Sequence, residues 1–114
     1  MKYPPGLGYA REKFSQAVYL LAIGPGDVRS RLRKAFIEFM PVQEKDIPDE
    51  LLEDFRWIKK ELTKRDPVAK EGKLIGTLQR MQIRTGMNIA MRIYDLASML
   101  EDYYDQQINE NEYT

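Results

Sequence analysis

The chain reads as all-α: a small bundle of about four helices whose C-terminal helix is either one long rod or broken near Gly86. Three observations predict this class. Apolar residues recur three and four positions apart through most of the length, the spacing that lines one face of a helix. Prolines and glycines fall at the joints between these periodic stretches. The stretch from Lys73 to Gln107 contains no proline and keeps helical periodicity almost throughout.

Tyr3-Pro4-Pro5-Gly6-Leu7-Gly8 forms a turn-rich lead-in, so helical order is expected from about Tyr9. Ala10, Phe14, Ala17, Val18 and Leu21 then share one helical face as far as Ile23. Gly24-Pro25-Gly26-Asp27 supplies a glycine to end that helix, a proline that cannot continue it and an aspartate to cap the next. Val28, Leu32, Ala35, Phe36 and Phe39 form the stripe of a second helix ending about Met40, and the short connection predicts an antiparallel pair. Pro41 stops it. An acidic loop follows, in which Asp46 and Asp49 resemble a capping box for a third helix with Leu51, Phe55, Ile58 and Leu62 inward. That helix should end near Arg65, because Asp66-Pro67 disfavours helical geometry.

The last stretch has two apolar faces. One holds Leu74, Leu78, Met81, Ile89, Ile93, Leu96, Leu100 and Tyr103; the other, roughly opposite, holds Ile83, Met87, Ala90, Tyr94 and Ala97. A helix apolar on two sides is either the buried centre of its own bundle or shared between subunits. As one straight rod it would measure about 50 Å at ~1.5 Å per residue, so it either breaks near Thr85-Gly86 or projects from a body whose expected radius of gyration is about 13 Å. The organisation read from these signals is a single helical domain over residues 1–108 with a frayed polar tail at 109–114.

Composition narrows function. The chain has no histidine and no cysteine, the side chains most used for acid–base, nucleophilic and transition-metal chemistry near neutral pH. This favours a non-enzymatic protein without a cofactor. No apolar run approaches the ~20 residues of a membrane span, and the start lacks the pattern of a secretory signal, which predicts a cytoplasmic location. Eighteen basic and eighteen acidic residues cancel, yet they are segregated. Residues 55–84 carry nine basic and three acidic side chains, whereas 101–114 carry five acids and no base. Complementary blocks of this kind suit neutralisation within the fold or across a homomeric interface.

The leading expectation is therefore a helical protein-interaction module acting as a homodimer, with Trp57, Ile83, Met87, Ala90 and Tyr94 at its interface. Trp57 sits beside the main stripe of its helix next to Arg56, placed either to meet a partner or to cover its own core. Gly86 and Ala90 make either a notch for a closely approaching helix or a simple kink. The alternative is binding of nucleic acid or another anion by Arg29 and Arg33 and by Arg80 and Arg84, pairs four residues apart that would each point one way. The helices around the acidic loop do not fit a helix-turn-helix, and Gly24-Pro25-Gly26 lacks the Gly-Lys-Ser/Thr ending of a phosphate loop. A third reading, a carboxylate-metal hydrolase, would use Asp49, Glu50, Glu53 and Asp54 as oxygen ligands. Its second acidic pair would have to come from Asp102 and Asp105, far downstream.

Overall fold

The computed structural model describes residues 3–64 and 73–113, without the side chains of 73–75 and 113. Among the described residues there are five helices: α1 (Leu7–Ile23), α2 (Val28–Phe39), α3 (Leu52–Thr63), α4 (Lys73–Arg80) and α5 (Ile83–Tyr113), with short 3-10 turns at Glu44–Asp46 and Asp49–Leu51. The described residues contain no strand. Asp66-Pro67, Arg65 and the side chain of Leu74 lie outside the described residues.

The joint between α1 and α2 follows its chemistry closely. Gly24 ends α1 by donating its N–H to Leu20 O at 2.9 Å, and Gly26 turns the chain at φ 84°, a left-handed conformation that costs glycine little. Asp27 then accepts from the backbone N–H groups of Arg29, at 2.8 Å, and Ser30, at 3.4 Å, satisfying donors that the first turn of a helix leaves open. Arg31 reaches back from α2 and donates to Leu21 O at 2.6 Å, stitching the hairpin at its turn. The pair packs through the predicted stripes. Phe14 stacks on Phe39 with ring centroids 4.5 Å apart, and Phe55 of α3 meets Phe14 edge-on at 6.0 Å. Three helices thus converge on one aromatic cluster, all of it fully buried.

Asp46 does not cap α3. Its carboxylate accepts from the backbone N–H of Gln43 at 2.9 Å, closing the 3-10 turn that precedes Ile47, and it lies buried against Gly6 at the start of α1. α3 begins instead from the turn at Asp49–Leu51 and has no side-chain cap, with Glu53 and Asp54 in its first turn to complement the helix dipole.

The long C-terminal stretch does break, but at Met81-Gln82 rather than at Gly86. Neither residue is a helix breaker, so tertiary contacts hold the joint. The Met81 side chain is buried in the core, and Arg29 Nη1 donates to Met81 O at 3.4 Å. Gly86 lies four residues into α5 and is buried: a Cβ there would approach Val28 Cγ1 to 2.9 Å. The notch is therefore filled by α2 of the same chain, and the absence of a side chain at Gly86 serves close helix packing rather than a kink. Beyond the joint, α5 runs 31 residues, about 46 Å at ~1.5 Å per residue. It sets the long axis of a molecule measuring 54 × 25 × 19 Å, whose radius of gyration is 15.0 Å.

The frayed tail expected at 109–114 is likewise corrected, since α5 stays helical through Tyr113. Tyr3 donates its hydroxyl to Glu110 at 2.9 Å and packs edge-on against Tyr103 at 6.5 Å, so the N-terminal segment supports the end of α5. Nearer the middle, Arg11 forks onto Glu101 at 2.6 and 3.1 Å while its guanidinium lies 4.9 Å from the Tyr104 ring. α1 and α5 consequently run antiparallel, joined along most of α1.

Candidate functional site

The two apolar faces of the last stretch have different fates. Leu78, Met81, Ile89, Ile93, Leu96 and Leu100 are buried, as the core face should be. The second strip is neither opposite to them nor buried. It lies on a flank of α5, with Tyr94 and Ala97 beside α1, and it divides in two. Ala90 and Ala97 are partly covered and pack against the core, while Ile83, Met87 and Tyr94 stand in solvent at 43, 56 and 58% exposure. Met91, at 63%, joins them. It falls between the two stripes and escaped both, although its spacing of four from Met87 is the signal that places it on this flank.

These exposures exclude the reading of α5 as the buried centre of its own bundle. Four large apolar side chains presented together by one helix are an unusual surface for an isolated subunit, because each loses the stabilisation that burial provides, about 1.5–3 kcal/mol for a full-sized side chain. Alongside them a shallow groove of about 190 Å³ runs between α1 and α5, lined by Ser15, Val18, Tyr94, Ala97, Ser98 and Glu101. Arg11 donates to the Glu101 carboxylate and holds its pKa below the ordinary range, so the far end of the groove is closed by an ion pair.

Trp57 belongs elsewhere. It is half-buried on α3 against the core, and Arg92 of α5 covers its ring with the guanidinium 4.4 Å from the centroid. The same Arg92 donates to Asp54 at 3.0 Å. Trp57 is thus satisfied within the chain and does not lie with Ile83, Met87 and Tyr94.

The arginines do not assemble as the sequence suggests. Arg29 and Arg33 line a groove of about 270 Å³ between α2 and α4, together with Asp27, Ser30, Leu78 and Gln79. Arg29 is already engaged there by Asp27 at 2.8 Å, which raises the guanidinium pKa and lowers that of the carboxyl. Arg80 lines a different groove with Lys64, Thr77 and Thr85. The joint at Met81-Gln82 separates Arg80 from Arg84, so the two are not successive turns of one helix.

The acidic residues are also dispersed. Asp54 is taken by Arg92, and Tyr103, whose pKa is raised by burial and then by its hydrogen bond to Glu50, occupies a second carboxylate. Among the described residues no three histidine, cysteine, aspartate or glutamate side chains gather to hold a metal ion, and no helix is long and apolar enough to cross a membrane. No protein family, curated protein sequence or solved structure matches the chain.

Proposed function

We propose that the protein is a non-enzymatic helical interaction module that assembles with itself through the exposed flank of α5. One observation carries this reading: Ile83, Met87, Met91 and Tyr94 are all more than two-fifths exposed on the same side of one helix. The mechanism is burial of that apolar flank, with charged residues around it setting which surfaces meet. Trp57 and Ala90 drop out of the proposed contact, because each is partly covered by its own chain. The proposal extends to a cytoplasmic protein that works without a cofactor, in keeping with a sequence free of histidine and cysteine.

Light scattering coupled to size-exclusion chromatography tests the assembly. The wild-type chain of 13.4 kDa should elute with twice that mass, and Met87→Glu or Met91→Glu should return it to a monomer with unchanged helical circular dichroism. A wild-type monomer at every concentration overturns the reading.

A second reading rests on the groove where Arg29 and Arg33 meet, which suits a small anion or a phosphate backbone. Fluorescence anisotropy with labelled single- and double-stranded oligonucleotides at low salt decides it: binding that weakens steeply with added salt supports it, and no binding removes it.

A further inference from the structure

We infer that the partner on the α5 flank is a second copy of this chain packed antiparallel, with a two-fold axis passing beside the exposed flank of α5 at the level of Ile89, whose own side chain is in the core; this rests on the reading of that flank as an interface. The flank is self-complementary about that position. An axis at Ile89 exchanges Met87 with Met91, brings Ile83 to within a residue of Tyr94 of the second copy, and brings Arg84 to within a residue of its Asp95. Each apolar side chain therefore meets another, and the two opposite charges meet twice by symmetry.

Arg84 and Asp95 are suited to that role. They lie about three helical turns apart, so both fall on one line of α5 at the rim of the apolar patch. Both are exposed, and neither makes an ion pair or side-chain hydrogen bond among the described residues. A separation of roughly 16 Å along the helix prevents them from pairing within a chain.

Charge selects the direction. A parallel pair would set Arg84 beside Arg84, Asp95 beside Asp95, and the acidic run of Glu101, Asp102, Asp105, Glu110 and Glu112 beside its own copy. Antiparallel packing instead directs that run toward the end of the second copy where α3 finishes and α5 starts, the end that carries Lys64, Arg80 and Arg84. It also opposes the two helix dipoles. With a formal net charge of zero, no long-range repulsion keeps two copies apart.

The chain's lack of cysteine makes disulfide trapping clean. Arg84→Cys and Asp95→Cys are prepared separately, one of them carrying a mass tag, and are oxidised alone and as a mixture. In the antiparallel pair Cβ atoms at 84 and 95 of opposite copies face each other. Like positions lie about 15 to 18 Å apart along the axis at ~1.5 Å per residue, beyond the about 7 Å between Cα atoms that a disulfide spans.

The expected result is covalent heterodimer from the mixture and none from either variant alone, with both variants retaining wild-type helical circular dichroism. Cross-linking of each variant with itself, in a chain that light scattering shows to be dimeric, overturns the antiparallel arrangement while leaving the interaction reading standing. A dimer that cross-links at neither position removes the contact from this face of α5. A monomeric wild type overturns both. Charge exchange gives an independent check: Arg84→Asp should weaken the dimer by about tenfold or more, and adding Asp95→Arg should restore it.

Discussion

At the scale of single residues, Gly6 faces the Asp46 side chain with no room for a Cβ. A Cβ at Gly6 would overlap the Asp46 carboxylate, which is itself fixed by its hydrogen bond from Gln43. Gly6→Ala should therefore cost about 1–3 kcal/mol, the usual range for forcing atoms into a packed site. Thermal melts will show it, and Gly6→Ala combined with Asp46→Ala should lose less than the two single changes added together. Arg92 offers a spectroscopic counterpart. It covers Trp57, the single tryptophan, so Arg92→Ala should shift fluorescence emission to longer wavelength with a stability loss of only about 0.5–1 kcal/mol. An unchanged spectrum would mean that Trp57 is shielded by something other than the guanidinium. Neither contact was legible in the sequence. Both join residues distant along the chain, and local spacing carries no information about which distant side chain lies overhead.

At the scale of elements, legibility was high where period and punctuation agreed. All five stripe residues of α2 are buried, as are Phe55, Ile58 and Leu62 of α3 and the four core positions of α5 from Ile89 to Leu100. The break at Met81-Gln82 escaped because no glycine or proline marks it; Arg29 and the buried Met81 side chain do that work from outside the segment. Gly86 drew the alternatives of a helix-packing notch or a kink by its identity alone, and its neighbour Val28 decides between them. This yields a test with two opposing terms. Gly86→Ala gains about 1 kcal/mol of helix propensity but drives a methyl to 2.9 Å from Val28 Cγ1, a conflict of about 1–3 kcal/mol. The single change should lower the melting temperature, and the same change in a Val28→Ala background should be less harmful or stabilising. A stabilising single change would show that α2 yields at no cost.

At the scale of the whole molecule, the segregated charge noted in the sequence is partly used within the fold. Arg11 with Glu101, Arg56 with Glu44 and Lys13 with Glu38 each connect different segments. Hydrogen bonds from Arg11, Arg56 and Arg29 hold Glu101, Glu44 and Asp27 below their ordinary pKa values. A carboxylate depressed in the folded state stabilises the fold above its unfolded pKa, near 4 for these groups, and that contribution disappears as pH falls through the folded value. Melting temperature should thus be level above about pH 5 and decline below about pH 4. Arg11→Gln should flatten part of the decline by removing the link to Glu101. Those pairs leave the apolar flank of α5 uncovered. Its apolar residues were legible as a second strip, but which of them face solvent depends on where α1 lies, and periodicity alone does not reveal that.

The antiparallel seam between α1 and α5 also shapes how the chain acquires its fold during synthesis. Arg11 and Glu101 are 90 residues apart, so at typical ribosomal rates roughly 5 to 20 s separate the appearance of the two halves of the seam. Through that interval the α1–α2 hairpin can form, because its contacts are local, but α1 has no α5 to close over its apolar face. The nascent hairpin therefore leaves the exit tunnel with an open apolar side until α5 arrives and seals it.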